Sequence, residues 1–180
     1  MSIPNSIDVG VLKTASFVDK KGNLILYGSV GLGKTHLATA IGVEACNRGK
    51  RVRFFRTSSF VNQLLDAKTE GSLRRFFKAD DEFSIAVFAY IEAVKGYLYE
   101  KGRFIPFEEE GAQLLFQVIS ECYERKSLII TTNLEFSKWN GIFYDEKLTS
   151  AIIDRIIHHS HLIVFEGTSS RLENSMIKSK

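Results

Sequence analysis

Leu24-Ile25-Leu26-Tyr27-Gly28-Ser29-Val30-Gly31-Leu32-Gly33-Lys34-Thr35 decides the fold, because an apolar run leads directly into the pattern Gly-x-x-x-x-Gly-Lys-Thr. In such a phosphate-binding loop the glycines let successive backbone N–H groups turn inward around the β- and γ-phosphates. The lysine adds a mobile cation and the threonine hydroxyl can ligate Mg²⁺. With four specified positions, a chance match in a chain of this length is roughly a one percent event. The surroundings agree. Leu24 to Tyr27 reads as a buried parallel strand, while Leu37, Ile41 and Ala45 recur at helical spacing until Gly49 supplies a stop. Gly28, Ser29, Val30, Gly31, Leu32, Gly33, Lys34, Thr35 and the following His36 are therefore the expected nucleotide-binding residues, with Thr35 as the expected Mg²⁺ ligand.

Outward from the loop, strands and helices alternate. Val52-Arg53-Phe54-Phe55 reads as a second strand. Ser58 to Ala67 follows as a helix striped by Phe60, Leu64 and Leu65, with Ser58 or Ser59 as N-cap, and Leu73 to Lys78 as a shorter basic helix. Glu109 to Arg125 carries Leu114, Leu115, Val118, Ile119 and Cys122 on one face. Its acidic start and basic end, Arg125 and Lys126, suit the helix dipole. Leu128 to Asn133 is a strand ending on a polar residue. A helix from about Lys147 to His159, with Leu148, Ile152 and Ile156 in register, precedes a last strand, Leu162 to Phe165. This order predicts an α/β fold with a mostly parallel sheet and helices on both faces.

At 180 residues, 44% hydrophobic and 25% charged, the chain can bury one sizeable core, so one domain is expected over residues 1–171, with a polar tail at 172–180. A net charge of +3 without blocks of like charge permits a nucleic-acid partner without demanding one. Cys46 and Cys122 stand alone within helical segments and read as reduced, buried thiols of an intracellular protein. The amino terminus lacks the profile of a signal peptide and no apolar run approaches a membrane span, so a cytoplasmic location is expected.

Three stretches, GNLILYGSVGLGKTHLATAIGVEACNRGKRVRFF, EEGAQLLFQVISECYERKSLIITTNLEFSKW and IIDRIIHHSHLIVFEG, together resemble the IstB-like transposition helper ATPases of insertion sequences. These are relatives of the helicase loader DnaC within the AAA+ class of P-loop NTPases. The resemblance covers roughly residues 3–171 and is specific in combination, where the loop alone names only a superfamily. It implies an ATP- and Mg²⁺-dependent homo-oligomer on DNA that delivers or regulates the transposase of its mobile element. It also implies that the helical amino-terminal segment usual in the family is missing here.

One catalytic element departs from the pattern. A Walker B strand ends in an Asp that holds the Mg²⁺ shell, followed in this family by a Glu that polarises the attacking water. No Asp-Glu pair closes an apolar strand here. Counting back without gaps from Phe104-Ile105-Pro106-Phe107, which resembles the segment after the pair, puts Glu100 and Lys101 at the two positions. A protonated Lys101 cannot act as a base. The rival placement is Glu92, which ends the better strand Ile85 to Ile91. Residues from about 81 to 103 resemble the family poorly, although both flanks resemble it well.

Other residues carry over individually. Asn133 matches the polar sensor that contacts the γ-phosphate or its attacking water, but an Asn that simply caps a strand end is ordinary turn chemistry. Arg155, in Ile153-Asp154-Arg155, matches the arginine that reaches a neighbour's nucleotide; a surface arginine paired with Asp154 is the bland alternative. Arg171 approximates a second sensor. For His158-His159-Ser160-His161 a metal role is disfavoured, because adjacent histidines diverge on a helix and no carboxylate constellation accompanies them. Phe54, Phe55, Phe76 and Phe77 beside Arg51, Arg53, Arg56, Arg74 and Arg75 could form a DNA surface, although a core strand and an amphipathic helix account for them more simply. Three classes of function stay open: an ATP-binding accessory protein of transposition with Lys34, Glu100, Asn133 and Arg155 as its candidate catalytic residues and hydrolysis expected to be slow or absent, a nucleotide-binding module that has lost hydrolysis or a helicase-loader-like protein of replication, and another phosphate-loop enzyme. The absence of an NKxD tetrapeptide weighs against a GTPase.

Overall fold

The computed structural model describes residues 9–75, 85–89, 108–143 and 145–167. Their sheet has five strands in the order β2-β3-β4-β1-β5, all parallel: β1 (Asn23–Gly28), β2 (Val52–Arg56), β3 (Ile85–Ala89), β4 (Ser127–Thr132) and β5 (Ser160–Phe165). The helices are α1 (Val9–Lys13), α2 (Lys34–Asn47), α3 (Thr57–Thr69), α4 (Glu109–Cys122) and α5 (Glu146–Ile157). The expected parallel sheet is thus observed.

Topology explains the two layers. The chain leaves β1 for the far edge strand β2, then returns across the sheet through β3 and β4 to β5 on the other side of β1. Because parallel crossovers are right-handed, outward and return journeys put their helices on opposite faces. One core therefore joins α2 to the turn before β1 through Phe17, Val18, Ala38, Ile41 and Ala45. The other joins α3, α4 and α5 through Phe60, Leu64, Leu115, Val118, Ile152 and Ile156. Alternation along the strands feeds both. Leu24, Leu26 and Ile129 enter the first core, and Ile25, Leu128 and Ile130 the second. The switch in direction falls at β1, and ligands of open α/β sheets bind at the carboxyl ends of strands at such a point.

Several element ends differ from expectation. Helix α3 begins at Thr57 with Arg56 in the cap position and no side-chain cap, so Ser58 and Ser59 lie inside the first turn. Helix α4 stops at Cys122 because Glu124 takes a φ of 55°, which leaves Arg125 and Lys126 beyond its end. His159, at φ 57°, follows the end of α5 at Ile157 in the same way, and β5 starts two residues earlier than expected. Cys122 is buried as expected, but Cys46 is exposed, since its position on α2 faces away from the sheet. Strand β2, read as a core strand, is an edge: Phe54 is 46% exposed, although Phe55 packs on Phe60 with ring centroids 4.3 Å apart. Helical structure is seen for Leu73 to Arg75, while Phe76, Phe77 and Lys78 lie outside the described residues.

Candidate nucleotide-binding site

The loop from Gly28 to Thr35 joins the buried end of β1 to the start of α2. Its glycines are required by geometry. Gly28 has φ 150°, and a Cβ there would lie 2.4 Å from the Phe165 carbonyl oxygen of β5. Gly31 and Gly33 take φ values of 85° and 86°, the left-handed region that side chains disfavour. Gly33 occupies the cap position of α2, where neither a side-chain cap nor an acidic first-turn residue competes for the helix's free N–H groups.

Lys34 is 6% exposed, and its Nζ donates to the carbonyl oxygens of Gly28 at 2.6 Å and Ser29 at 2.7 Å. A buried ammonium needs such partners. These bonds hold the cation within the loop, over the same ring of backbone that encloses a phosphate in this motif. Thr35 is half-buried beside it, and Val30 and His36 are exposed at the rim.

Register brings Asn133 to the same place. Tyr27 pairs with Thr132, so Gly28 and Asn133 leave the sheet side by side. The Asn133 side-chain oxygen is buried without a hydrogen-bond partner. A buried amide oxygen left unsatisfied costs about 1–3 kcal/mol, and the hydroxyls of Thr57 and Ser127 are likewise buried without a partner.

Arg155 lies at the other end of the sheet. It occupies the last turn of α5, whose exit leads to Ser160, and Ser160 pairs with Asn23 at the start of β1. The length of β1, roughly 16 Å at 3.3 Å per residue, separates that end from the loop. The guanidinium lies over the Phe116 ring at 4.7 Å and donates to the Ala151 carbonyl at 3.1 Å. Neither Asp154 nor another described carboxylate pairs with it. Among the described residues, then, Lys34, Thr35 and Asn133 are grouped and Arg155 is not.

For the second catalytic element, the strand between β2 and β4 is β3, Ile85–Ala89, which contains no carboxylate. It coincides with the strand of the rival placement. Glu92, Glu100, Lys101 and Arg171 lie outside the described residues.

Sequence reading missed Asn23, the residue that ties the opposite end together. Its Nδ2 donates to the Ile156 carbonyl at 3.1 Å and its Oδ1 accepts from the Leu128 N–H at 2.9 Å. The available signal was a polar residue opening an otherwise apolar strand.

A parallel sheet of this order, carrying a complete phosphate loop at its switch point, defines a P-loop nucleotide-binding fold of the AAA+ type. Solved structures share the fold. The DnaC helicase loader superposes with a TM-score of 0.61 over 90% of this chain and 93% of that one at 21% identity. The AMPPCP-bound DnaA of Aquifex aeolicus gives 0.65 over 90% and 47%, at 23% identity. The sequence profile described as IstB-like ATP binding protein matches residues 4–178, and the chain belongs to that family. The protein named for ATP binding in insertion sequence IS21 of Pseudomonas aeruginosa is 37% identical over 158 residues, 88% of this chain and 56% of that one. Its counterpart in IS5376 of Geobacillus stearothermophilus is 35% identical over 167 residues, 93% of this chain and 62% of that one. The chain thus spans about 60% of the length of such relatives. Among the described residues no helix is long and apolar enough to cross a membrane.

Proposed function

We propose that the chain is an ATP- and Mg²⁺-binding accessory protein of DNA transposition that assembles on DNA as a homo-oligomer and regulates the transposase of its element. The observation that carries the reading is the glycine-lined loop with Lys34 drawn into it. Membership in a family of insertion-sequence proteins supports the biological setting. In this reading the backbone from Gly28 to Gly33 and the Lys34 ammonium take the phosphates, Thr35 takes Mg²⁺, and Asn133 turns its unsatisfied amide toward the γ-phosphate or the water that attacks it. Arg155, remote from its own loop, reaches the nucleotide of a neighbouring copy. To do so it must leave the Phe116 ring. Exposed Arg51, Arg53, Arg56, Arg74 and Arg75 support contact with DNA phosphates.

A second reading, binding without hydrolysis, is favoured by the sequence, in which no Asp-Glu pair closes an apolar strand. Sedimentation with ATP, Mg²⁺ and duplex DNA tests the assembly. Nucleotide- and DNA-dependent oligomers are expected, lost in Arg155→Ala if the finger role holds, whereas a monomer under every condition contradicts the proposal.

A further inference from the structure

The left-handed residues of the described chain are concentrated in one place. Four non-glycine residues have positive φ, and three of them, Lys21 (56°), Glu124 (55°) and His159 (57°), line a single cleft of about 220 Å³ at the amino-terminal edge of the sheet. Such conformations cost of order 1 kcal/mol or more each and persist where surrounding structure imposes them, commonly at functional sites. The turns after α4 and α5 are twins. Tyr123 (φ −55°, ψ 127°) precedes Glu124, and His158 (φ −57°, ψ 124°) precedes His159, the course of a type II turn whose second corner normally carries Gly or Asn.

Asn23 ties the turn after α5 to β4, the strand that follows the turn after α4. Besides its bonds to Ile156 and Leu128, its backbone N–H donates to the His159 carbonyl at 3.0 Å and its Nδ2 contacts the His158 carbonyl at 3.4 Å. The result aims three side chains at one point. One ligand atom each from Glu124, His158 and His159 lies within 4.8 Å of the others. The imidazoles sit with centroids 4.0 Å apart, and the Tyr123 hydroxyl holds His158 Nδ1 at 2.7 Å. The histidines diverge in sequence only if α5 continues through them; it ends at Ile157, and Glu124 supplies the carboxylate that was missing.

The geometry points to a transition-metal site of the Zn²⁺ class formed by Glu124, His158 and His159. Two imidazoles and a carboxylate are a zinc ligand set, with bonds of about 2.0–2.2 Å and water completing the shell. The site is separate from the nucleotide loop, at the opposite end of β1. Lys21 on the rim opposes a cation, and its removal is expected to strengthen binding.

Calorimetric titration of the full chain with Zn²⁺, and with Co²⁺ for its visible absorption, tests the assignment. The expected result is one equivalent per chain, weakened at least about tenfold by Glu124→Gln and abolished in His158→Ala/His159→Ala. Cys46→Ser and His36→Ala should leave it unchanged, and Mg²⁺, which prefers oxygen ligands, should not compete. Glu124→Gln preserves shape, so it decides the matter even if the double variant misfolds. No saturable binding, or binding that Glu124→Gln leaves intact, would overturn the site.

Discussion

At the scale of residues, the loop's chemistry depends on close approaches that single atoms disturb. Gly28→Ala would drive a methyl group into the Phe165 carbonyl, so β1 and β5 must separate at the rim of the site. The expected outcome is a stability loss of about 1–3 kcal/mol, read by denaturant titration, together with weaker nucleotide binding. Asn133→Ala removes an amide oxygen that has no partner in the fold. Stability should therefore be unchanged or slightly higher. If the protein hydrolyses ATP, the rate should fall about 10²-fold with little change in nucleotide affinity, because a contact to the attacking water acts in the transition state. Equal losses of stability and binding would show instead that Asn133 is an ordinary strand cap.

Elements are held together by contacts of two kinds. Helices α3 and α4 approach closely at Gly111, where a Cβ would lie 2.8 Å from Val61 Cγ1. A β-branched Val61 has few rotamers with which to yield. Gly111→Ala should thus destabilise by about 1–2 kcal/mol despite the better helix propensity of alanine, and thermal unfolding measures it. At the sheet's other end Asn23→Ala strips partners from a buried N–H and buried carbonyls, with an expected cost of about 1–3 kcal/mol. The ion pair of Lys50 with Asp19, at 2.6 Å, is exposed and predicts a pH effect only. Its hydrogen bond, then its charge, lower the Asp19 pKa from 3.8. The pair's contribution is therefore present above 3.8 and disappears as pH falls through the lowered value. Wild type and Asp19→Asn should converge in stability there.

For the whole molecule, the sequence exposes its architecture because each core strand is a short apolar run and α4 and α5 carry clean helical stripes. What it hides are events decided by tertiary context. Glu124 and His159 stop their helices in left-handed conformations normally reserved for glycine, so neither reads as a terminator. Arg56 heads α3 where Ser58 or Ser59 carries the capping chemistry, because β2 runs directly into the helix. Strand order is equally invisible locally: only the return of the chain past β1 makes β2 an edge, with Phe54 exposed. The candidate site divides along the same line. The loop is legible residue by residue, while the meeting of Gly28 with Asn133 depends on strand register, and the remoteness of Arg155 on where α5 ends.

Everything proposed for the assembled protein presupposes that the loop binds adenine nucleotide. Equilibrium titration with a fluorescent ATP analogue and Mg²⁺, comparing the native chain with Lys34→Ala, tests this directly. Lys34 makes charge-assisted contacts worth about 1.5–3 kcal/mol, so the account predicts saturable binding that the substitution weakens by roughly 10- to 150-fold. Nucleotide affinity that is unchanged in Lys34→Ala, with both proteins folded, would contradict it.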